Sequence, residues 1–179
     1  MIAVLTQCFP SRVGGIESLM SNLSLGLSNK YKVVVFADCY NSFFDAIYDN
    51  KVKENLIIRR TGGIKFFRRR KKNKEFKLLL STGKISCVIA DSWKSLELCA
   101  EFLANKKIPT ICLAHGNELL QQDTKKNVRI FNVLNHTNAV VANSEYTLNL
   151  LKKLDLQKPV LKKIHPGAEN IFKVKESEV

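Results

Sequence analysis

Apolar residues fall along the chain in short continuous runs that take turns with helical stripes. The runs are "IAVLT" (2–6), "KVVVFA" (32–37), "NLIIRR" (55–60), "SCVIAD" (86–91), "PTICLA" (109–114), "NAVVAN" (138–143) and "PVLKKI" (159–164). Continuous, largely β-branched runs of this length predict strands buried on both faces. Between them, Ile16, Leu19, Leu23 and Leu27 recur at helical spacing, and "SNK" closes that helix. A basic helix is expected at 70–82. Leu96, Cys99, Ala100 and Leu103 mark the next one. Residues 124–136 form another, with Val128, Phe131 and Leu134 turned inward. A last helix carries Leu148, Leu151 and Leu154, and Asn143-Ser144 offers its N-cap. Strand–helix alternation predicts an α/β fold: a doubly wound, mostly parallel, Rossmann-like sheet. Residues 1–165 read as one domain. Residues 166–179 lose periodicity, become charged and read as the start of a linker.

Composition agrees with this picture and narrows it. The chain has 179 residues, 45% hydrophobic and 25% charged, which suits one globular domain burying about 70% of its unfolded surface. The apolar runs are far shorter than the roughly 20 residues that span a bilayer, and no secretory leader is expected. Cys8, Cys39, Cys87, Cys99 and Cys112 share no C-x-x-C spacing and are expected to be free thiols in a reducing compartment. Three scattered histidines form no zinc pattern, and no metal or cofactor is expected.

Charge changes the picture more. The sequence holds 29 Lys and Arg against 16 Asp and Glu. Residues 65–77, "KFFRRRKKNKEFK", carry eight bases and one acid. A local patch implies a local, anionic partner.

Candidate chemistry begins at "FPSRVGGIES" (9–18), between the first strand and the first helix. In doubly wound sheets, ligands gather at the carboxyl ends of strands. Gly14 and Gly15 are expected there for positive φ or for close backbone approach. The following helix N-terminus attracts an anion such as phosphate, and Arg12 adds a charge. A tight turn without ligand is the other reading. A dinucleotide site is disfavoured: Asp38 stands where a ribose-binding acid would, but V-G-G-I-E-S lacks the G-x-G-x-x-G pattern.

Four motifs come in a fixed order: "FPSRVGGIESLMSNLSLGLSNKYKVVVFA", "LAHGNEL" (113–119), "VVANSEYTLNLL" (140–151) and "HPGAENIF" (165–172). With these, the chain resembles the N-terminal domain of retaining family 4 glycosyltransferases of the GT-B fold. Its nearest likeness is to bacterial mannosyltransferases acting on phosphatidylinositol mannosides. The resemblance implies transfer of a hexose from a nucleotide sugar, with GDP-mannose the donor in that likeness, to a lipid-linked or phosphorylated acceptor, without metal. It places Gly14 and Gly15 against the donor diphosphate and the acceptor, and His115 at the transferred sugar. Asn117 and Glu118 line the same loop. Tyr146 contacts acceptor, and Ser144 either does so or caps its helix. The departing diphosphate is expected to help deprotonate the acceptor, so His115 stabilises developing charge and is not a nucleophile. His136 and His165 read as surface or linker residues.

The second GT-B domain, with its E-x7-E pair, is not seen: no two glutamates stand eight apart. The chain therefore reads as half an enzyme that needs a C-terminal domain or partner subunit and transfers little or nothing alone. A non-catalytic module for an anionic lipid or phosphosugar is the alternative. The family's acceptors include membrane lipids, so Arg68, Arg69, Arg70, Lys71, Lys72 and Lys74, next to Phe66 and Phe67, are expected to meet the cytoplasmic leaflet of the plasma membrane. A solvated helix face is the other reading, and a nucleic-acid partner is disfavoured. Trp93 is expected either as an acceptor-stacking surface, with Lys94 near a phosphate, or as an anchor for the next helix.

Overall fold

The computed structural model describes residues 1–52, 54–120 and 124–167. Among these, seven strands form one sheet: β1 (Ile2–Leu5), β2 (Val33–Asp38), β3 (Leu56–Thr61), β4 (Cys87–Ala90), β5 (Thr110–Ala114), β6 (Ala139–Ala142) and β7 (Val160–Lys163). Their order is β3-β2-β1-β4-β5-β6-β7, and every pairing is parallel. All seven expected strands are present. The expected linker lies outside the described residues from position 168 onward, as does most of the "HPGAENIF" motif.

The chain leaves β1 in one direction to build β2 and β3, then returns across β1 to build β4 to β7. Right-handed crossovers put the helices of the two halves on opposite faces. Helices α1 (Gly15–Ser28) and α2 (Ser42–Asp49) cover β1 to β3 on one side. There Val4, Val33, Val35 and Ala37 pack with Phe9, Met20 and Leu56. Helix α3 (Lys65–Leu80) and the later helices cover the other face. That larger core holds Phe36, Phe76, Trp93, Leu103, Ile130, Leu134 and Leu151, with Phe36 and Phe76 edge-to-face at 5.6 Å. Each such side chain contributes roughly 1.5–3 kcal/mol through burial.

Several helices differ from the sequence expectation. Helix α2 has no apolar stripe to announce it. Its buried residue is Asp45, while Phe43, Phe44 and Ile47 face outward. Helix α3 begins at Lys65, earlier than expected. The stretch around Cys99 divides into α4 (Trp93–Leu96) and α5 (Ala100–Asn105), because Cys99 leaves helical geometry at φ −141°. Helix α6 (Thr124–Leu134) buries Ile130, Val133 and Leu134, while Val128 points to solvent.

On α1, the face against the sheet is Met20, Ser21 and Ser24, and the leucine stripe is only half-buried. Small serines let the helix sit close, and Ser24 returns its hydroxyl to the Met20 carbonyl at 2.7 Å. Leu19 and Leu23 instead border the part of the sheet that α1 and α2 do not reach. There Ile89, Ile111, Leu113 and Val141 line a cavity of about 290 Å³.

Candidate active site

The loop after β1 is held from three sides. The Asp45 carboxylate accepts the Ser11 hydroxyl at 2.8 Å and the Tyr40 amide at 2.9 Å. Arg60 lies 3.2 Å from the same carboxylate, pairs with Asp49 at 2.7 Å, and donates to the Pro10 carbonyl. Burial pushes the Asp45 pKa up. The Ser11 hydroxyl and the Tyr40 amide outweigh burial and hold it below the ordinary aspartate value. At Glu97, burial is likewise outweighed by hydrogen bonds from Arg69 and Arg129. Both carboxylates are thus more acidic when folded, so their stabilisation is full above the unfolded pKa and is lost as pH falls through the folded one. The urea midpoint is expected to be flat from pH 7 to 5 and to fall below about pH 4. An Asp45→Asn, Glu97→Gln double variant is expected to start lower and lose part of that slope. Equal acid slopes in variant and parent would refute the assignment.

Gly14 does not need a left-handed backbone: its φ is 169° and ψ 165°. It needs space, because a Cβ there would lie 2.2 Å from Glu17 Oε2. Gly15 has open space around the same position. Neither glycine takes the positive φ expected at this corner, and the group close to Gly14 is the chain's own Glu17 carboxylate. The Glu17 carboxylate is buried in the first turn of α1, and Arg12 pairs with it at 3.0 Å. The partial positive end of α1 is already facing a carboxylate.

Asp91, at the end of β4, ties that loop to the rest of the rim. Its buried carboxylate accepts from the Thr6 hydroxyl at 2.7 Å, the Gln7 amide at 2.9 Å and the Ser95 hydroxyl at 2.6 Å. Its backbone carbonyl meets His115 Nε2 at 2.9 Å. A carbonyl can only accept, so Nε2 carries the proton, and Nδ1 is the unprotonated nitrogen of the neutral ring. The His115 amide donates to Glu118 Oε1 at 2.8 Å. Gly116 follows with φ 101°, and a Cβ there would come within 3.0 Å of Thr147 Oγ1.

The β5 loop thereby rests on the start of α7 (Glu145–Lys152), which Ser144 caps by accepting from the Thr147 amide at 3.2 Å. Tyr146 and Asn117 are exposed beside Gly116. His115 is half-buried and lines the 290 Å³ cavity together with Asn143, Ile164, His165 and Pro166.

The structure thus brings Gly14, Gly15 and Arg12 to one corner and His115, Asn117 and Glu118 to another, beside Tyr146 at the start of α7, with Asp91 between. Other expected residues are placed differently. Trp93 is 2% exposed inside the larger core, so it anchors α4 and has no ring face for a ligand. Arg129 stands 5.5 Å above its ring. Lys72 is buried and bonds Asp38 at 2.7 Å and the Thr6 carbonyl at 2.6 Å, so it belongs to no surface patch. Arg68 pairs with Asp38 at 3.0 Å and Arg69 with Glu97 at 2.6 Å. Arg70 stacks on Phe66 at 3.9 Å, and Lys71 and Lys74 are exposed. Asp45, Asp91 and Glu17 were not signalled, and His165, read as a surface or linker residue, lines the cavity beside His115. The available cue for Asp91 was a carboxylate directly after a buried strand, the same position that marked Asp38.

A sheet of this order, with glycine and histidine loops on its carboxyl rim, admits several chemistries, and comparison with known proteins decides the family. The profile of Glycosyltransferase Family 4 matches residues 13–169. The chain belongs to Glycosyltransferase Family 4. No curated protein matches the sequence.

The fold of this family 4 domain is shared with HepE of Anabaena in complex with UDP: 15% identity over 94% of this chain and 44% of that one, TM-score 0.65. UDP-N-acetylglucosamine 2-epimerase from Rickettsia bellii matches at 14% identity over 93% and 45%, TM-score 0.61. The lipopolysaccharide outer core galactosyltransferase WaaB, in its apo form, matches at 15% over 88% and 43%, TM-score 0.56. The domain has one Rossmann-like half of a GT-B architecture and spans less than half the length of each of these neighbours.

Proposed function

We propose that this domain supplies one wall of a glycosyltransferase crevice, in which a hexose passes from a nucleotide sugar to an acceptor hydroxyl with retention and without metal. The reading rests above all on His115. Its imidazole borders an open cavity at the carboxyl rim, and the Asp91 carbonyl holds its tautomer. The Gly14–Gly15 loop, tied to the same aspartate through Gln7, lies along the donor diphosphate. His115 Nδ1 faces a hydroxyl of the transferred sugar and stabilises charge as the glycosidic bond to phosphate breaks. The acceptor proton passes to the departing diphosphate. A second domain provides the other wall and most of the grip on the nucleotide. HepE is described in complex with UDP-glucose, which supports a nucleotide sugar as the class of donor, and GDP-mannose is the donor to test beside it.

The test is an NMR titration of the 179-residue chain with UDP-glucose and GDP-mannose. Amide shifts at Gly14, Gly15 and His115 are expected at millimolar donor, with no sugar transferred to water or acceptor. Turnover by the isolated chain would refute the half-site reading, and unchanged signals at all three residues with every donor would refute the crevice. A 2-epimerase shares the fold, so product analysis of the assembled protein must show a new glycosidic bond and not an isomerised donor.

A further inference from the structure

We propose that a cavity of about 320 Å³ at the amino-terminal ends of β5, β6 and β7 binds a small soluble phosphate ester. Three connections build it: Lys107 and Ile108 lead from α5 into β5, Asn135, His136 and Asn138 from α6 into β6, and Lys158 from α7 into β7. His115 follows β5 at its other end, so this site lies on the opposite rim from the proposed crevice.

The lining is a set of donors with no carboxylate. The three connections hold four lysines and one histidine against a single acid, Asp155, which does not line the cavity. Among the described residues neither Lys107 nor Lys158 has an ion-pair partner. Asn135 Oδ1 accepts the Gln157 amide at 3.0 Å and the Lys158 amide at 3.2 Å, and Asn138 Oδ1 accepts the Thr110 amide at 2.8 Å. With both oxygens committed to backbone, the NH2 group is the end of each carboxamide left to donate. These bonds also tie the three connections together, so the donors are in place before a ligand arrives. His136 Nδ1 lies 2.6 Å from the Asn132 carbonyl and carries a proton, which leaves Nε2 to accept a hydroxyl.

Lys107 supplies an independent sign. Helix α5 ends in a Schellman motif: the Ile108 amide bonds the Leu103 carbonyl at 3.0 Å, and the Lys107 amide bonds that of Ala104 at 2.9 Å. Lys107 therefore stands at the left-handed position of the motif, with φ 55°. Glycine is the usual residue there, because a Cβ is strained in that conformation. After α7 the corresponding left-handed residue is Asp155, one of the few types that tolerate it. A lysine at such a position gives up stability for a cation in the cavity wall, as strained residues at binding sites do.

The ligand follows from the lining. Cations and amide donors converge from three sides, which suits the several oxygens of a phosphate better than the flat pair of a carboxylate. Ligand sites commonly span about 300–1,000 Å³, so the phosphate comes with a small organic group. Asn135, Asn138 and the His136 ring nitrogen suit hydroxyls on that group. No aromatic residue lines the cavity, so nothing stacks a base or dips into a bilayer.

NMR titration of the chain with glycerol phosphate at constant ionic strength tests this. Saturable shifts are expected at the Asn135 and Asn138 side-chain NH2 groups and the Lys107 and Lys158 amides, with a midpoint of about a millimolar. Chloride at equal ionic strength should move none of them. Lys107→Gly should weaken binding about fivefold and yet raise the melting temperature by about 2–4 °C. Lys158→Gln should weaken it by a similar factor, about fivefold. Asn138→Asp keeps the oxygen that accepts the Thr110 amide but puts a negative charge in the wall, and it should abolish binding. Lys106→Gln, a neighbouring lysine outside the lining, should change it by less than about twofold. His115→Ala should bind the ester at this site like the parent. Parent-like binding by Lys107→Gly, or an equal loss from Lys106→Gln, would overturn the proposal. So would displacement of the ester from Asn135 and Asn138 by phosphatidic acid vesicles or by a short RNA, because the face would then serve a membrane or a nucleic acid.

Discussion

Replacing His115 with alanine is expected to lower sugar transfer by about 10²–10³-fold when the domain is assembled with the second domain proposed for the other wall, with little change in thermal stability. The ring is half-buried at the rim, its one hydrogen bond among the described residues goes to the Asp91 carbonyl, and no core packing depends on it. Its loss removes a group placed where charge develops, so the fall should be in kcat, with KM for donor changed far less. His115→Asn retains a short polar group and should recover only a small part. The measurement is steady-state transfer with excess acceptor, beside a thermal melt. A variant within threefold of the parent would remove His115 from the reaction, and a collapsed melt would make it a structural residue.

The second large effect concerns Asp91→Ala. Its carboxylate collects Thr6, Gln7, Ser92 and Ser95; the Thr6 hydroxyl can turn to the Cys8 carbonyl at 2.7 Å, and the other three donors would be left without that acceptor inside the protein. At about 1–3 kcal/mol for each buried group left unsatisfied, a loss of about 3–5 kcal/mol in urea unfolding is expected. Asp91→Asn keeps the shape and accepts with one oxygen, so it should cost about half as much. Because both loops hang from this residue, donor-induced shifts at Gly14 and His115 should shrink together in the Asn variant. A stability change below 1 kcal/mol for Asp91→Ala would show that water satisfies these donors as well.

The fold was legible where burial on both faces leaves no alternative to a β-branched run, as in "KVVVFA" and "SCVIAD". Helices were legible only as far as their buried face is apolar. Helix α2 escaped notice because its inward residue is Asp45 and its phenylalanines face solvent. Helix α1 was legible from its leucine spacing, but the serines that complete its buried face were not, because residues that permit close packing look polar in sequence. The histidine loop could be read, since a histidine and glycine after a buried strand have few other uses. The residues that hold it could not: Asp91 and Asp45 act through partners 84 and 34 positions away, a separation that periodicity cannot convey. Lys72 shows the opposite error, and Trp93 takes the second of its two readings, the anchor. Both residue types suit ligands, and only their packing reveals that one fills the core and the other neutralises Asp38.

One carboxylate gathers two rim loops that belong to different strands, and its own backbone orients the imidazole on a third. The pieces meant to meet the sugar therefore move as a unit. On the proposed reading, little reorganisation energy is lost when a donor arrives, and the adjustment that completes the crevice comes from the body proposed to face this one. Mutations that loosen the aspartate should be felt as a higher barrier to closing, with barely altered contact chemistry once closed.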